Sequence, residues 1–324
     1  CDMLDAGMTY IRLYQFMLLP GTQSSSVESR ARFQLESRFR VLPRCFGNYT
    51  LRGETFPVAE IEEIVVANST MSYSDYQACR DLDLTVEIFN NGSIFLDLFQ
   101  FLARHNVSRS DFIKAAYQQV LDQNGGLSRL YADFREEEKG NLSESMDGLE
   151  AFTASPGVIQ RYVDGEFGTN ELYKYRALAV FYDLESVHGA AYEVARSLLR
   201  QGGHWNDQFE KYLTELSEFS LMRKRGILDT GQTERRTFHF DFPLLMDSRF
   251  TLDPFEFTRP QGVEVEVFHT REQCELIDGY VGQYGSSLIG LGKIMTRSDM
   301  NRMYRSARSL GAASTPELQE ATST

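Results

Sequence analysis

Cysteine is scarce in this chain. Four thiols, Cys1, Cys45, Cys79 and Cys274, are spread over 324 residues. They are too few and too scattered for the disulfide framework of a small secreted fold, and read as reduced thiols of a cytoplasmic protein. Proline is scarce too: eight residues are about half the usual share of ~5%, which fits a helix-rich chain. No apolar run reaches the ~18 residues of a membrane span, and no signal peptide is visible. The histidines, at 105, 188, 204, 239 and 269, show neither H-x-x-H nor H-E-x-x-H spacing, so no metal ligands are assigned to this chain. With no G-x-S-x-G elbow and no P-loop, hydrolase and nucleotide-hydrolysing readings have no residues to stand on. Basic residues are in deficit, 33 against 46 acidic, for a net charge of −13. Such a surface repels phosphate backbones, so nucleic acid is not an expected partner. Five N-x-Ser/Thr triplets, at Asn48, Asn68, Asn91, Asn106 and Asn141, read as chance occurrences.

What is present is ordinary globular material, 42% hydrophobic and 24% charged, long enough for about two domains or subdomains. The most informative stretch is Ile11-Arg12-Leu13-Tyr14-Gln15-Phe16-Met17-Leu18-Leu19, which stops abruptly at Pro20-Gly21-Thr22. So short and apolar a run, without polar alternation, predicts a strand buried on both faces, as in parallel sheets. Residues 1–6 read as the last turn of a helix stopped by Gly7. A strand of that kind needs parallel neighbours, so the chain reads as the C-terminal part of a larger α/β protein.

Further on, residues 23–38 are polar and read as a helix. Residues 39–42 and 49–51 flank a Pro/Cys/Gly turn and read as a short ribbon, and residues 61–67 as another strand. Ser72 and Asp75 form a capping-box pattern opening an amphipathic helix through Phe89. Apolar positions predict further helices over residues 94–105 and from Ser110, the latter stopped at Asn124-Gly125-Gly126. Residues 133–157, acidic and rich in Ser and Gly, read as a linker. Helices follow over 170–182, 186–200 and 204–225. Residues 236–242 and 263–268 alternate with the period of a strand. Thr270 and Gln273 form a second capping box, a last helix is read near 298–309, and residues 311–324 read as a disordered tail.

An ordered series of segments resembles one known family. Residues 15–22, ending in Leu-Leu-Pro-Gly-Thr, are similar to the sixth strand of the radical S-adenosylmethionine barrel. Phe39-Arg40-Val41-Leu42-Pro43-Arg44-Cys45-Phe46-Gly47, then residues 61–67, 69–76 and 84–89, resemble the region after the barrel in members that carry a cobalamin-binding domain. A weaker match returns near residues 284–305. The resemblance implies an α/β fold: the last strands of an incomplete (β/α) radical S-adenosylmethionine barrel over residues 1–70, then a mostly helical C-terminal module over 71–225 with a small α+β end over 226–310. It implies an enzyme, when full length, whose 4Fe–4S cluster reductively cleaves S-adenosylmethionine to start radical chemistry on a small-molecule or modified-metabolite substrate. Whether cobalamin is a further cofactor stays open. The cluster-binding C-x-x-x-C-x-x-C motif is absent here, so the cluster ligands are placed outside this chain, in an N-terminal half that would be its partner. The rival reading is a non-catalytic helical binding or interaction module.

The same resemblance places Leu18, Leu19, Pro20, Gly21 and Thr22, at a strand end, beside bound S-adenosylmethionine, because ligands of parallel barrels sit at the carboxyl ends of strands. Arg44, Cys45, Asn68 and Thr70 are expected on the substrate rim. A thiol beside a guanidinium can ionise more easily, whereas Asn68 and Thr70 are equally apt for capping a helix. No catalytic residue is assigned. Exposed apolar residues on the opening strand are expected to make the chain self-associate.

Overall fold

In a computed structural model, which describes residues 1–122 and 126–310, the protein is a mixed α/β fold, 56% helical, with two small sheets. Neither sheet closes into a barrel. Helix α1 (Asp2–Asp5) opens the chain. The apolar run after it is extended but is not the parallel strand its composition predicts. It touches the first sheet at one antiparallel bridge, Met17 to Ile64, flanked by hydrogen bonds from Leu18 N to Glu63 O and from Val65 N to Phe16 O, both 2.9 Å. Ile11 and Leu18 are buried, whereas Leu13, Phe16 and Leu19 stand 42%, 50% and 55% exposed. Apolar composition specified a wish for burial on both faces, and only one face is covered among the described residues.

The first sheet is a two-stranded antiparallel hairpin, β1 (Glu36–Leu51) and β2 (Glu54–Ala67). Arg52 and Gly53 close it with φ of 53° and 85°. A two-residue turn with both central φ positive matches the right-handed twist of the strands, and Gly at its second position carries no Cβ penalty. Residues 39–42 and 49–51 thus lie on one strand rather than pairing with each other. The Pro-Arg-Cys stretch does not turn the chain. It bulges it: the register jumps from Val41–Ile61 to Phe46–Ala59. Pro43 has no N–H to give a ladder, and Arg44 takes φ 69°. The helix expected over 23–38 shrinks to α2 (Val27–Phe33), capped by Ser26, because β1 starts at Glu36.

The helical module begins at α3 (Tyr73–Phe89), where Ser72 and Asp75 make the reciprocal capping box the spacing predicts. Helices α4 (Leu96–Arg104) and α5 (Arg109–Asp122) follow. The expected helix stop at Asn124-Gly125 lies outside the described residues. The expected linker over 133–157 is instead two helices, α6 (Gly126–Gly140) and α7 (Met146–Thr153). Tyr131 and Phe134 of α6 are fully buried. Its acidic run is neutralised from a distance: Glu137 by Lys174 and Glu138 by Arg80. Composition alone does not display partners so remote in sequence.

Helices α8 (Val158–Val163), α9 (Glu171–Ala177), α10 (Leu184–Gln201) and α11 (Asp207–Lys224) complete the module. The second sheet, in the order β3-β4-β5, comprises β3 (Glu234–Phe240), β4 (Thr258–Phe268) and β5 (Ser306–Leu310). Around it sit α12 (Phe242–Asp247), α13 (Arg271–Tyr284), with the predicted Thr270–Gln273 capping box, and α14 (Leu288–Arg297). The helix expected near 298–309 is replaced by a short turn and edge strand β5, paired antiparallel to β4. One large core runs from α3 through α11 into β3, β4 and α14. A small second core joins the hairpin to α7 and α8 through Val41, Leu149, Val158 and Tyr162. The tail over 311–324 lies outside the described residues.

Candidate functional site

The bulge in β1 decides where the site lies. Arg44 projects from it onto the shared wall of two adjoining cavities, of about 510 Å³ and 250 Å³, which also have Asn170 and Tyr173 in common. The larger is bounded by the bulge, the loop from α8 to α9 and the amino end of α14; the smaller by residues 12–17, the hairpin, α3 and α9.

Charge is concentrated under the smaller cavity. Arg40 and Glu62 face each other across the hairpin in register and pair at 2.5 Å. Arg40 also stands 4.0 Å from Glu171, whose other oxygen accepts from Asn141. On α3, Tyr76, Arg80, Asp83 and Glu87 follow one another at spacings of four and three, so all face the same way, and all are buried. Arg80 binds Asp83 at 2.6 Å and Glu138 through Nε. Gln15 donates to the Tyr76 hydroxyl, tying the opening segment to this lattice. Arg176 Nη1 lies 2.9 Å from Glu87 Oε2 without the alignment of a hydrogen bond, and its Nη2 donates to Asn91 O.

Such a lattice is costly to bury and survives only because its members compensate one another. Burial drives the Asp83 carboxyl up to about 7, against the pull of Arg80, with Glu87 and Glu138 adding repulsion. Burial also raises Glu138, again opposed by Arg80. For Arg80, burial acts downward most strongly, but the charge and hydrogen bond of Glu138 together with the charge of Asp83 outweigh it, and the guanidinium is held above its ordinary value. Glu62 Oε2 and Asp83 Oδ1 are buried without hydrogen-bond partners among the described residues.

The larger cavity is of a different character. Phe46 and Tyr162 pack with ring centroids 5.1 Å apart, and Tyr162 and Phe167 at 5.3 Å. Val163, Leu288 and Ile289 extend the apolar lining. Gly168, at φ 69°, lies so close beneath these rings that a Cβ there would stand 2.5 Å from Phe46 and 2.6 Å from Tyr162. Only glycine lets the loop pass under them.

Of the residues placed in a site by sequence, Arg44 lines both cavities. Cys45, beside it, is half-buried, a free thiol, and lines neither. Asn68 and Thr70 form the turn from β2 into α3: Thr70 N and Oγ1 donate to Asn68 Oδ1 at 2.8 and 2.9 Å. Leu18 is buried against the hairpin, whereas Leu19, Pro20, Gly21 and Thr22 make an exposed turn closed by Thr22 Oγ1 to Leu19 O. That turn borders neither of these two cavities. Among the described residues no three His, Cys, Asp or Glu side chains gather in a metal-holding group, and the four thiols do not converge. The described residues do not fit a 4Fe–4S cluster. Among the same residues, no helix is long and apolar enough to cross a membrane.

Sequence reasoning missed Arg40, Glu62, Arg80, Asp83, Glu87, Tyr173 and Lys293. A signal existed for three of the buried groups: Arg80, Asp83 and Glu87 occupy core spacing on α3. No protein-family model matches the chain, and no curated protein matches it.

Proposed function

We propose that this chain is the substrate-side, C-terminal part of a radical S-adenosylmethionine enzyme of the cobalamin-domain type, its cavities forming one end of the substrate site. The observation that carries the reading is the juxtaposition of two features in residues 12–19. Leu13, Tyr14, Gln15 and Met17 wall the smaller cavity, while Leu13, Phe16 and Leu19 leave apolar surface exposed of the kind an adjoining part of a protein covers. The hairpin occupies one edge of this segment by antiparallel pairing; the other edge is where parallel barrel strands would add. Cluster and S-adenosylmethionine would be held mainly by residues outside this chain and would supply the radical. The residues described here would bind and orient the substrate.

The exposed surface around an enclosed cleft also supports a second reading, a binding module without chemistry of its own. One experiment separates the two. The reading frame upstream of Cys1 is determined, the joined protein is expressed anaerobically, and reductive cleavage of S-adenosylmethionine to methionine and deoxyadenosine is measured. A cysteine triplet upstream and cleavage by the joined protein support the enzyme; absence of either overturns it in favour of the binding module.

A further inference from the structure

The larger cavity has an imbalance that its surroundings do not correct. In a chain with net charge −13, four charged residues line it: Arg44, Lys174, Lys293 and Asp164. Lys174 is neutralised by Glu137 at 2.5 Å. Asp164, exposed at the rim, accepts from Gln160 at 2.8 Å. Arg44 and half-buried Lys293 make no side-chain hydrogen bond, ion pair or ring contact among the described residues. One comes from the β1 bulge and the other from α14. Both line the same cavity as the rings of Phe46, Tyr162 and Phe167. The amino end of α14, at Ser287, opens on the same wall and adds the positive end of a helix dipole.

Two unsatisfied cations over an aromatic floor define a ligand by complementarity. The floor favours a flat apolar body, through area burial and ring packing. The cations favour one compact anionic group with oxygens that can accept from both. A cavity of about 510 Å³ falls within the range of about 300–1,000 Å³ usual for small-molecule sites. The buried lattice beneath the smaller cavity does not offer the same opportunity, because its guanidiniums are already engaged by Glu62, Glu138, Asp83 and Glu87.

We propose that the larger cavity binds an aromatic or similarly flat carboxylate, with Arg44 and Lys293 gripping the carboxylate and Phe46, Tyr162 and Phe167 holding the flat body. Calling this ligand the substrate rests on the function proposed above; the binding itself does not. Three probes of one shape and different charge test it: naphthoate, naphthylmethanol and naphthylmethylammonium, titrated calorimetrically into the 324-residue chain. Naphthoate is expected to bind about tenfold or more tightly than the ammonium probe, less so as salt is added. Arg44→Gln and Lys293→Gln should each weaken naphthoate roughly three- to tenfold, the range for charge-assisted contacts partly screened by solvent. Both should leave naphthylmethanol within about twofold, and Arg44→Lys should retain most of the naphthoate affinity. Arg44 is exposed and unpartnered, so its variants leave no buried group orphaned. Equal binding of the three probes, no binding of naphthoate, or naphthoate affinity unchanged in both glutamine variants would overturn the proposal. The titration needs neither cluster nor S-adenosylmethionine, so its failure leaves the cleavage experiment standing, and failure of that experiment leaves this one.

Discussion

His188 and Asp83 should give the fold two opposing pH dependences that can be separated by substitution. His188, on α10, is 2% exposed. Its Nδ1 lies 3.2 Å from Leu184 O, its Nε2 has no hydrogen-bond partner among the described residues, and its ring packs 4.9 Å from Phe95. Burial first, and then the charge of Lys224, push it down from 6.5 to about 3. Between those values the unfolded chain binds a proton that the native chain refuses, so stability is complete above pH 6.5 and falls as the solution is acidified. Each pH unit costs about 1.4 kcal/mol, and the loss by pH 3 is on the order of 4 kcal/mol.

Asp83, 1% exposed, is displaced the other way, from 3.8 to about 7. The native chain then holds the extra proton between these values. This contribution is complete below pH 3.8 and is lost as pH rises through 7, again on the order of 4 kcal/mol. The two windows overlap and largely cancel. His188→Phe removes one titration, and Asp83→Asn the other. Urea melts of wild type and each variant, at intervals from pH 4 to pH 7.5, give difference curves in which other groups drop out. The curve for His188→Phe relative to wild type should rise toward acid, and that for Asp83→Asn should rise toward neutral pH. Parallel curves for both variants would refute the account of these two groups as buried and displaced by desolvation.

Lys224→Met should cost about 3–5 kcal/mol in chemical denaturation by stranding Asp97, its partner at 3.1 Å, and adding Asp97→Leu should recover most of the loss. The same variant should abolish the rise in stability between pH 8 and 10.5 that follows from a Lys224 pushed by burial down to about 8, since there the unfolded chain binds the extra proton. Gly168→Ala should destabilise by about 2–4 kcal/mol, combining a positive φ with overpacking, and should weaken naphthoate binding in the same titration. Phe16→Ser with Leu19→Ser should convert a self-associating chain to a monomer in light scattering without lowering its melting temperature, because both side chains are half exposed.

Signals in this sequence are legible where the physics is local. The Ser72–Asp75 and Thr270–Gln273 boxes satisfy orphan N–H groups within one turn, and both open the helices they predict. A segment whose fate is set by remote partners carries no such local signal. Residues 133–157 look like a linker because acidic, Ser and Gly residues dominate their composition; Arg80 and Lys174, which neutralise Glu138 and Glu137, come from the distant α3 and α9. Residues 11–19 look like a two-faced strand because apolar content reports a preference for burial, not the direction of the neighbour. The neighbour is β2, and it runs antiparallel.

The site follows the same division. Arg44 follows Pro43, and that place matters: a proline with no N–H cannot continue the ladder, and the bulge there carries Arg44 to the junction of the cavities. Arg80, Asp83 and Glu87 carry charge, the usual mark of the wet side of a helix, on the same face as Tyr76. Their spacing is that of a core stripe, and the core receives them, since Arg40, Arg176 and Glu138 arrive from three other elements to balance the charge. A polar stripe at apolar spacing, interleaved with Leu84, Val86, Ile88 and Phe89, leaves the helix with no dry-versus-wet assignment that solvent alone could satisfy. Only a partner lattice of opposite charges resolves it, and building that lattice beside a cavity brings guanidiniums and carboxylates to the floor of the cleft.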